Sequence, residues 1–164
     1  MRRVTIADHR RHADPALSRW HSPCPSFLAF IALAALTVTA RAGMVAGAFM
    51  GHNGSTIQEF TDGSRVEYRY ASVRAGLPIR QSDILFRGTK HPSHKSSHVA
   101  YDLQGTAYTF KRGCPPAGYQ VRGEQTSTHV VLHGAAPRHA ADSCAIIGHD
   151  SNGANATLVF DIAE

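Results

Sequence analysis

From residue 64 onward, apolar and polar residues alternate in short runs along the chain. In residues 65–70 (RVEYRY), a valine and two tyrosines alternate with charged residues, which is typical of a strand with one buried face. Glycine, proline and asparagine separate the runs, and no stretch after residue 43 keeps a helical period over ten positions. The pattern predicts strands at 65–70, 82–88, 99–111 with a kink at Gly105, 119–123, 128–132, 143–147 and 157–162.

Short strands at fairly regular spacing, with turn residues between them, are typical of small all-β proteins. We therefore predict an all-β fold over residues 56–164, a small antiparallel β-barrel or sandwich of seven to eight short strands behind a cleaved signal peptide. Residues 43–55 are rich in glycine and alanine and are predicted to be a flexible N-terminal segment. The predicted core consists of Val66, Phe86, Tyr108, Phe110, Val121, Val131, Ile146, Leu158 and Phe160.

The first 42 residues have the pattern of a secretory signal peptide. Five arginines and only two acidic residues precede a 14-residue uncharged run at 27–40, and an Ala40-Arg41-Ala42 site follows it. A basic stretch, an apolar stretch and an A-x-A site are the three parts of such a leader. The run is shorter than the roughly 20 residues that a membrane-spanning helix needs. We expect cleavage after Ala42; an uncleaved anchor and a misassigned start of the chain are the alternatives.

Removing the leader changes the charge of the protein. The whole chain has 17 Lys and Arg against 12 Asp and Glu, but six arginines and two aspartates lie in residues 1–42. Eleven basic and ten acidic residues remain, which is a net charge of +1. A nucleic-acid-binding protein needs an excess of basic residues on one face. The sequence therefore predicts no nucleic-acid partner, membrane contact only through the leader during export, and a periplasmic or secreted location.

Two cysteines, Cys114 and Cys144, lie outside the leader. In an oxidising compartment, two cysteines in a small domain are expected to form a disulfide. The alternative is a pair of separate buried thiols. The sequence has no C-x-x-C motif, so thiol-exchange catalysis is not expected.

Several short segments resemble a small exported β-rich domain of uncharacterised bacterial proteins. The matching segments are 85–88 (LFRG), 105–110 (GTAYTF), Cys114, 119–123 (YQVRG), 131–137 (VLHGAAP), Cys144 and 158–160 (LVF). Together they cover roughly residues 79–162. The resemblance implies a β-rich exported module with a Cys114–Cys144 bridge, and it implies no activity.

Histidines are the main candidates for metal chemistry. His91, His94 and His98 lie within eight residues of each other, and His129 and His133 would share one face of a strand. Imidazole is a good ligand for Zn or Cu, so these five residues form a candidate metal set. The alternative is a solvated polar loop with surface histidines, which the nearby charges of Lys90 and Lys95 favour.

Catalytic motifs are absent from the sequence. It has no G-x-S-x-G elbow and no phosphate-binding glycine loop with a lysine. Glu67, Asp83, Asp102 and Glu124 are isolated acids that we expect to face solvent.

Eight aromatic residues could either form the core or line a ligand pocket. They are Tyr68, Tyr70, Tyr101, Tyr108, Tyr119, Phe86, Phe110 and Phe160.

These observations favour a non-enzymatic exported binding or accessory module whose partner is a small ligand or a protein. One alternative is a periplasmic metal-binding protein that uses His91, His94, His98, His129 and His133. The other alternative is an enzyme of unknown class. No cofactor other than the candidate Zn or Cu is expected.

Overall fold

The computed structural model describes residues 43–163, and the predicted signal peptide at 1–42 lies outside the described residues. Within the described part, no helix is long and apolar enough to cross a membrane. The strands are β1 (Val45–His52), β2 (Ser55–Asp62), β3 (Arg65–Ser72), β4 (Ile84–Pro92), β5 (Tyr101–Thr109), β6 (Ala117–Gln125), β7 (His129–Gly134), β8 (Ala136–His139), β9 (Ile146–Asp150) and β10 (Thr157–Ile162).

Eight of these strands form a closed antiparallel barrel, which confirms the predicted fold class. Its strand order is β1-β10-β7-β6-β5-β4-β3-β2, so β1 to β7 meander around the barrel and β10 closes it. Successive strands run in opposite directions, and the connections therefore lie alternately at two ends. We call the end with segments 53–54, 73–83, 110–116 and 135–156 the upper end, and the other end the lower end.

Strands β8 and β9 pair with each other outside the barrel wall. We call this two-stranded sheet the ribbon. It belongs to the upper connection between β7 and β10, and only Ala136 at its start is part of the hydrophobic core of the described residues. Ile146 and Ile147 are exposed on it.

Aromatic and aliphatic side chains fill the barrel interior. The ring of Tyr68 lies 5.2 Å from the ring of Phe86 and 5.2 Å from that of Phe160, measured between centroids. All three side chains are fully buried, as are Ile57 and Leu132. An eight-stranded barrel has an interior just wide enough for side chains to fill, so this stack occupies its middle.

Glycines allow the strands β4 to β7 to bend sharply around this core. A Cβ atom on Gly105 would lie 2.5 Å from the Cα of Gly88 on the neighbouring strand. A Cβ on Gly123 would lie 1.8 Å from the carbonyl oxygen of Val131. Only glycine permits such close approach of two backbones, and glycine bends are how a sheet curves tightly enough to close.

Three predictions from the sequence were wrong in detail. Residues 43–55 are not a flexible segment, because β1 and the β1–β2 turn occupy most of it. Ile146 is 42 % exposed, because β9 belongs to the ribbon and not to the barrel. Glu67 does not face solvent but is buried beside the guanidinium groups of Arg69 and Arg87.

The remaining core predictions divide into two groups. Val66, Phe86, Val121, Leu158 and Phe160 are buried in the barrel, as predicted. Phe110 packs against the core while partly exposed, and Tyr108 and Val131 are half-buried at the barrel wall.

Candidate functional site at the upper end of the barrel

A cavity of about 280 Å³ opens at the upper end of the barrel, above the aromatic core. The β1–β2 turn, the β3–β4 loop and the upper end of β5 surround it. Mouths of β-barrels are common places for small-molecule sites. We call this cavity the mouth pocket; its lining residues are His52, Asn53, Ser55, Tyr70, Arg74, Leu77, Pro78, Ile79, Leu85, Tyr108, Thr109, Phe110, Asn155 and Leu158.

His52 is held rigidly at the floor of the mouth pocket. Its ring stacks on that of Phe160 with 4.8 Å between centroids, and its Nδ1 lies 2.8 Å from the carbonyl oxygen of Val159. Nδ1 must donate to this oxygen, so Nε2 of the neutral ring accepts from the Asn53 amide at 3.2 Å. Burial lowers the pKa of His52, while the Val159 carbonyl and the Asp161 carboxylate oppose that effect. The imidazole is therefore held in its neutral form.

Two tyrosines bring hydroxyl groups to the upper end. Burial raises the pKa of Tyr70 to about 12, with further contributions from Asp83 and Tyr119. Burial also raises the pKa of Tyr119 to about 12, and its hydroxyl donates to the backbone carbonyl of Asn155. Both phenols therefore stay protonated at neutral pH. Neither phenol is therefore poised to act as a base.

The walls of the mouth pocket combine aromatic edges with aliphatic side chains. The rings of Tyr70 and Phe110 meet edge to face, 6.0 Å apart. Ile79 packs against the core from the β3–β4 loop. Ser55 is buried, and its hydroxyl accepts a hydrogen bond from the backbone N–H of Arg74 at 3.0 Å. The pocket thus combines aromatic and aliphatic side chains with fixed polar groups, and polar surface exceeds apolar surface in its lining.

The loops that form the rim are tied together. Arg112 donates to the carbonyl of Gly76, which links the β5–β6 loop to the β3–β4 loop. Lys111 Nζ donates to the carbonyl oxygens of Ala140, Ala141 and Ser143 at 2.5, 2.7 and 2.8 Å. These bonds anchor the β5–β6 loop to the ribbon.

The predicted disulfide is confirmed and strengthens the same connection. Cys114 and Cys144 are bonded, with 5.4 Å between their Cα atoms. Cys114 lies in the β5–β6 loop and Cys144 lies between β8 and β9, so the bond crosses from a rim loop to the ribbon. A rim fixed in this way lowers the conformational cost of binding a ligand.

The charges around the mouth pocket are asymmetric. Arg74 is the single full charge among the lining residues, and none of them is an aspartate or a glutamate. The neutral His52 and the protonated tyrosines add only dipoles. The site is therefore suited to a ligand that carries a hydrogen-bond acceptor or an anionic group on an apolar body.

The structure places the candidate metal ligands on the outer surface. His91 lies near the end of β4, and His94 and His98 lie in the β4–β5 loop. His129 and His133 both point outward from β7, where they contact Thr128 and Thr157 respectively. Within residues 43–163, no three His, Cys, Asp or Glu side chains come close enough to hold a metal ion.

Two of these histidines, His91 and His133, line a groove on the outside of the barrel. This groove has a volume of about 650 Å³ and crosses β5, β6 and β7. At its lower end, Lys95 Nζ lies 2.7 Å from Asp102 and 2.9 Å from Glu124. An ammonium group thus occupies the position between the two carboxylates.

His52, Asn53 and Ser55 lie in residues 43–55, whose glycine and alanine content predicts a flexible segment and gives no sign of a site. A signal was available in the Asn53-Gly54 pair, which favours a two-residue hairpin turn. In the structure both residues have positive φ angles, 49° and 76°, as such a turn requires. Of the eight aromatic residues considered as pocket residues, Tyr70, Tyr108 and Phe110 line the mouth pocket.

Comparison with known proteins adds no further constraint on the function. The chain matches no protein-family model, and neither a curated protein nor a solved structure is significantly similar to it. The resemblance to a small exported bacterial domain therefore stays a prediction. Because folds of this type serve many functions, the function has to be argued from the site itself.

Proposed function

We propose that this protein is an exported, non-enzymatic binding module that holds a small ligand in the mouth pocket. The observation that carries the proposal is the mouth pocket itself: a cavity edged by aromatic and aliphatic side chains, with fixed polar groups and a cross-linked rim. Ligand pockets in proteins combine apolar side chains with precisely placed polar groups. The volume of about 280 Å³ suits a ligand no larger than a substituted ring.

Export is supported by the leader pattern and by the disulfide. Disulfides persist in oxidising compartments, such as the periplasm or the extracellular space. Cys114 and Cys144 are bonded in a position that ties a rim loop to the ribbon. The disulfide would therefore also keep the mouth pocket in its binding shape.

The ligand class follows from the chemistry of the lining. An aromatic or cyclic body would lie against Tyr70, Phe110 and Leu85. A carboxylate on that body would lie toward Arg74, whose guanidinium can donate two parallel hydrogen bonds to it. Benzoate is the simplest compound with both features, and benzyl alcohol has the same body without the charge.

The absence of a tryptophan outside the predicted leader makes a direct test feasible. Trp20 is the sole tryptophan of the chain. The substitution Phe110→Trp places a fluorescent ring beside Tyr70 on the wall of the mouth pocket. The matched control is Ile147→Trp, at an exposed residue of the ribbon. Each variant would be recovered from the exported fraction and titrated with benzoate and with benzyl alcohol.

We expect saturable quenching or a shift of emission for Phe110→Trp with benzoate, and a weaker response to benzyl alcohol. Adding Arg74→Gln should weaken benzoate binding roughly tenfold, since a charge-assisted pair is lost. No response of Phe110→Trp up to about 10 mM benzoate, a concentration that detects even very weak binding, would reject the ligand class. An equal response of Ile147→Trp would show that binding is non-specific.

A further inference from the structure

A second concave surface lies on the outer wall of the barrel, away from the mouth pocket. The groove lined by His91 and His133 continues into a second concavity of about 550 Å³, which reaches Ser151 beyond β9. The two concavities share Gln104, Arg122 and His133. We call the combined surface the outer groove.

Outward-facing side chains of β5, β6 and β7 form the edges of the groove. Gln104, Arg122 and His133 are exposed and lie side by side on the three strands. They alternate with Leu103, Val121 and Leu132, which are buried in the core.

Arg122 lies at the centre of the outer groove without a carboxylate partner. Its cross-strand neighbours are Gln104 on β5 and His133 on β7. The two acids nearest along the groove, Asp102 and Glu124, are both bound by Lys95. Among the ion pairs of residues 43–163, none includes Arg122.

The upper part of the outer groove combines apolar surface with three polar uncharged side chains, Gln104, Gln120 and Ser151, and carries one full charge. Its lining residues are Gln104, Gln120, Val121, Arg122, His133, Gly134, Ala135 and Ser151. No acidic residue is among them, so Arg122 sets the electrostatic potential there. The amides of Gln104 and Gln120 and the hydroxyl of Ser151 can each donate and accept hydrogen bonds.

The strands beneath the groove are already paired on both sides. An added peptide strand would find no free backbone edge here, so recognition must use side chains. Hydroxyl groups pair well with amides and hydroxyls, and a carboxylate pairs with a guanidinium. These features favour a hydroxyl-rich ligand that carries carboxylates over an acidic peptide.

We infer that the outer groove binds an acidic oligosaccharide, with Arg122 holding a carboxylate and Gln104, Gln120 and Ser151 meeting sugar hydroxyls. The site is separate from the mouth pocket and shares no residue with it. The two sites can therefore be tested independently.

The test is a titration of the disulfide-bonded protein, recovered from the exported fraction and labelled with ¹⁵N, followed by NMR. The probes are tetragalacturonate, a neutral galactose tetramer and a glutamate tetrapeptide. The variants are Arg122→Gln, Arg122→Lys and the control Arg80→Gln. Arg80 is an exposed arginine of the β3–β4 loop that does not line the outer groove.

We expect saturable shifts of the Gln104, Arg122 and His133 amides with tetragalacturonate, and binding that weakens as salt is added. Arg122→Gln should weaken binding at least about tenfold, and Arg122→Lys should recover part of it, because lysine keeps the charge but not the planar fork. Arg80→Gln should bind as the wild type does.

Four results would overturn the inference. They are no saturable shift up to about 10 mM tetragalacturonate, shifts confined to another surface, equal binding of the neutral tetramer, and equal or tighter binding of the glutamate tetrapeptide. Arg122 is exposed, so its variants are expected to fold, and the retained amide spectrum would verify this.

Discussion

Glu59 and Lys90 form an ion pair inside the barrel, with 2.6 Å between Oε1 and Nζ. Their side chains are only 9 % and 16 % exposed. Lys90 Nζ also lies 4.8 Å above the ring of Tyr101, which adds a cation–π contact. The pair lies toward the lower end of the interior, where Glu59 is opposite Tyr68 in the β2–β3 register.

Breaking this pair should destabilise the fold strongly. Lys90→Met leaves the Glu59 carboxylate buried without its partner, and such a loss costs about 3 to 5 kcal/mol. The double variant Glu59→Leu with Lys90→Met should be clearly more stable than Lys90→Met alone, because no uncompensated charge remains. Urea unfolding of the single and double variants measures both effects. Lys95→Met, at an exposed pair, is the matched control and should change stability little.

A double variant no more stable than Lys90→Met would contradict this account of the ion pair.

The disulfide should contribute a large part of the net stability. Cys114 and Cys144 are 30 residues apart in sequence, and closing a loop of that length restricts the unfolded chain by roughly 3 to 4 kcal/mol. The Cys114→Ser/Cys144→Ser variant should lose about that amount in urea unfolding. Adding reductant should bring the wild type to the same stability and leave the variant unchanged. Equal stability of the oxidised wild type and the variant would show that the disulfide does not contribute to the stability of the fold.

His52 should make the protein less stable in mild acid. Burial holds its pKa below the ordinary value of 6.5. As the pH falls below 6.5, His52 takes up a proton in the unfolded chain before it does so in the folded protein. The free energy of unfolding is therefore highest above pH 6.5 and decreases as the pH falls toward the pKa of His52 in the folded protein. An NMR titration should place the His52 midpoint below 6.5. A midpoint above 6.5 would mean that the imidazole is not held neutral at the pocket floor.

The glycine bend can be tested by two matched substitutions. Gly123→Ala places a Cβ 1.8 Å from the Val131 carbonyl oxygen, so the β6 and β7 backbones must move apart. We expect a loss of about 3 kcal/mol or more, at the upper end of what overpacking costs. At Gly51, the nearest atoms to an added Cβ lie 3.9 Å away, on Asp161. Gly51→Ala should therefore leave the stability in thermal unfolding unchanged or slightly raised. Equal losses of stability for Gly123→Ala and Gly51→Ala would contradict the close approach of the β6 and β7 backbones at Gly123.

Alternation of apolar and polar residues was sufficient to predict an all-β fold and the positions of several strands. Residues 65–70 and 157–162 lie within β3 and β10, and Phe86 and Phe160 are in the core. Alternation does not reveal the first two strands: Val45 to Phe49 of β1 are all exposed, and the buried face of β2 places Ser55 and Glu59 beside Ile57. Closure of the barrel depends on β10 pairing with β1, which is not encoded locally in either strand.

The candidate site was much less accessible to sequence reasoning than the fold. The mouth pocket is assembled from His52, Tyr70, Thr109 and Leu158, which come from four different strands. Only the completed barrel brings them together. The closeness of the histidines in the segment around His94 and His98 suggests a metal site, yet the structure leaves both residues in an exposed loop.

The central claim is that an exported, oxidised barrel holds a small ligand in its mouth pocket. The most direct measurement is the intact mass of the protein from the exported fraction, taken under native conditions without reductant. We predict a chain that begins at Gly43, lacks two hydrogens and carries a bound small molecule. The adduct should be lost in Leu77→Trp, which fills the pocket, and kept in Ile147→Trp. A full-length chain with three free thiols and no adduct would contradict the account.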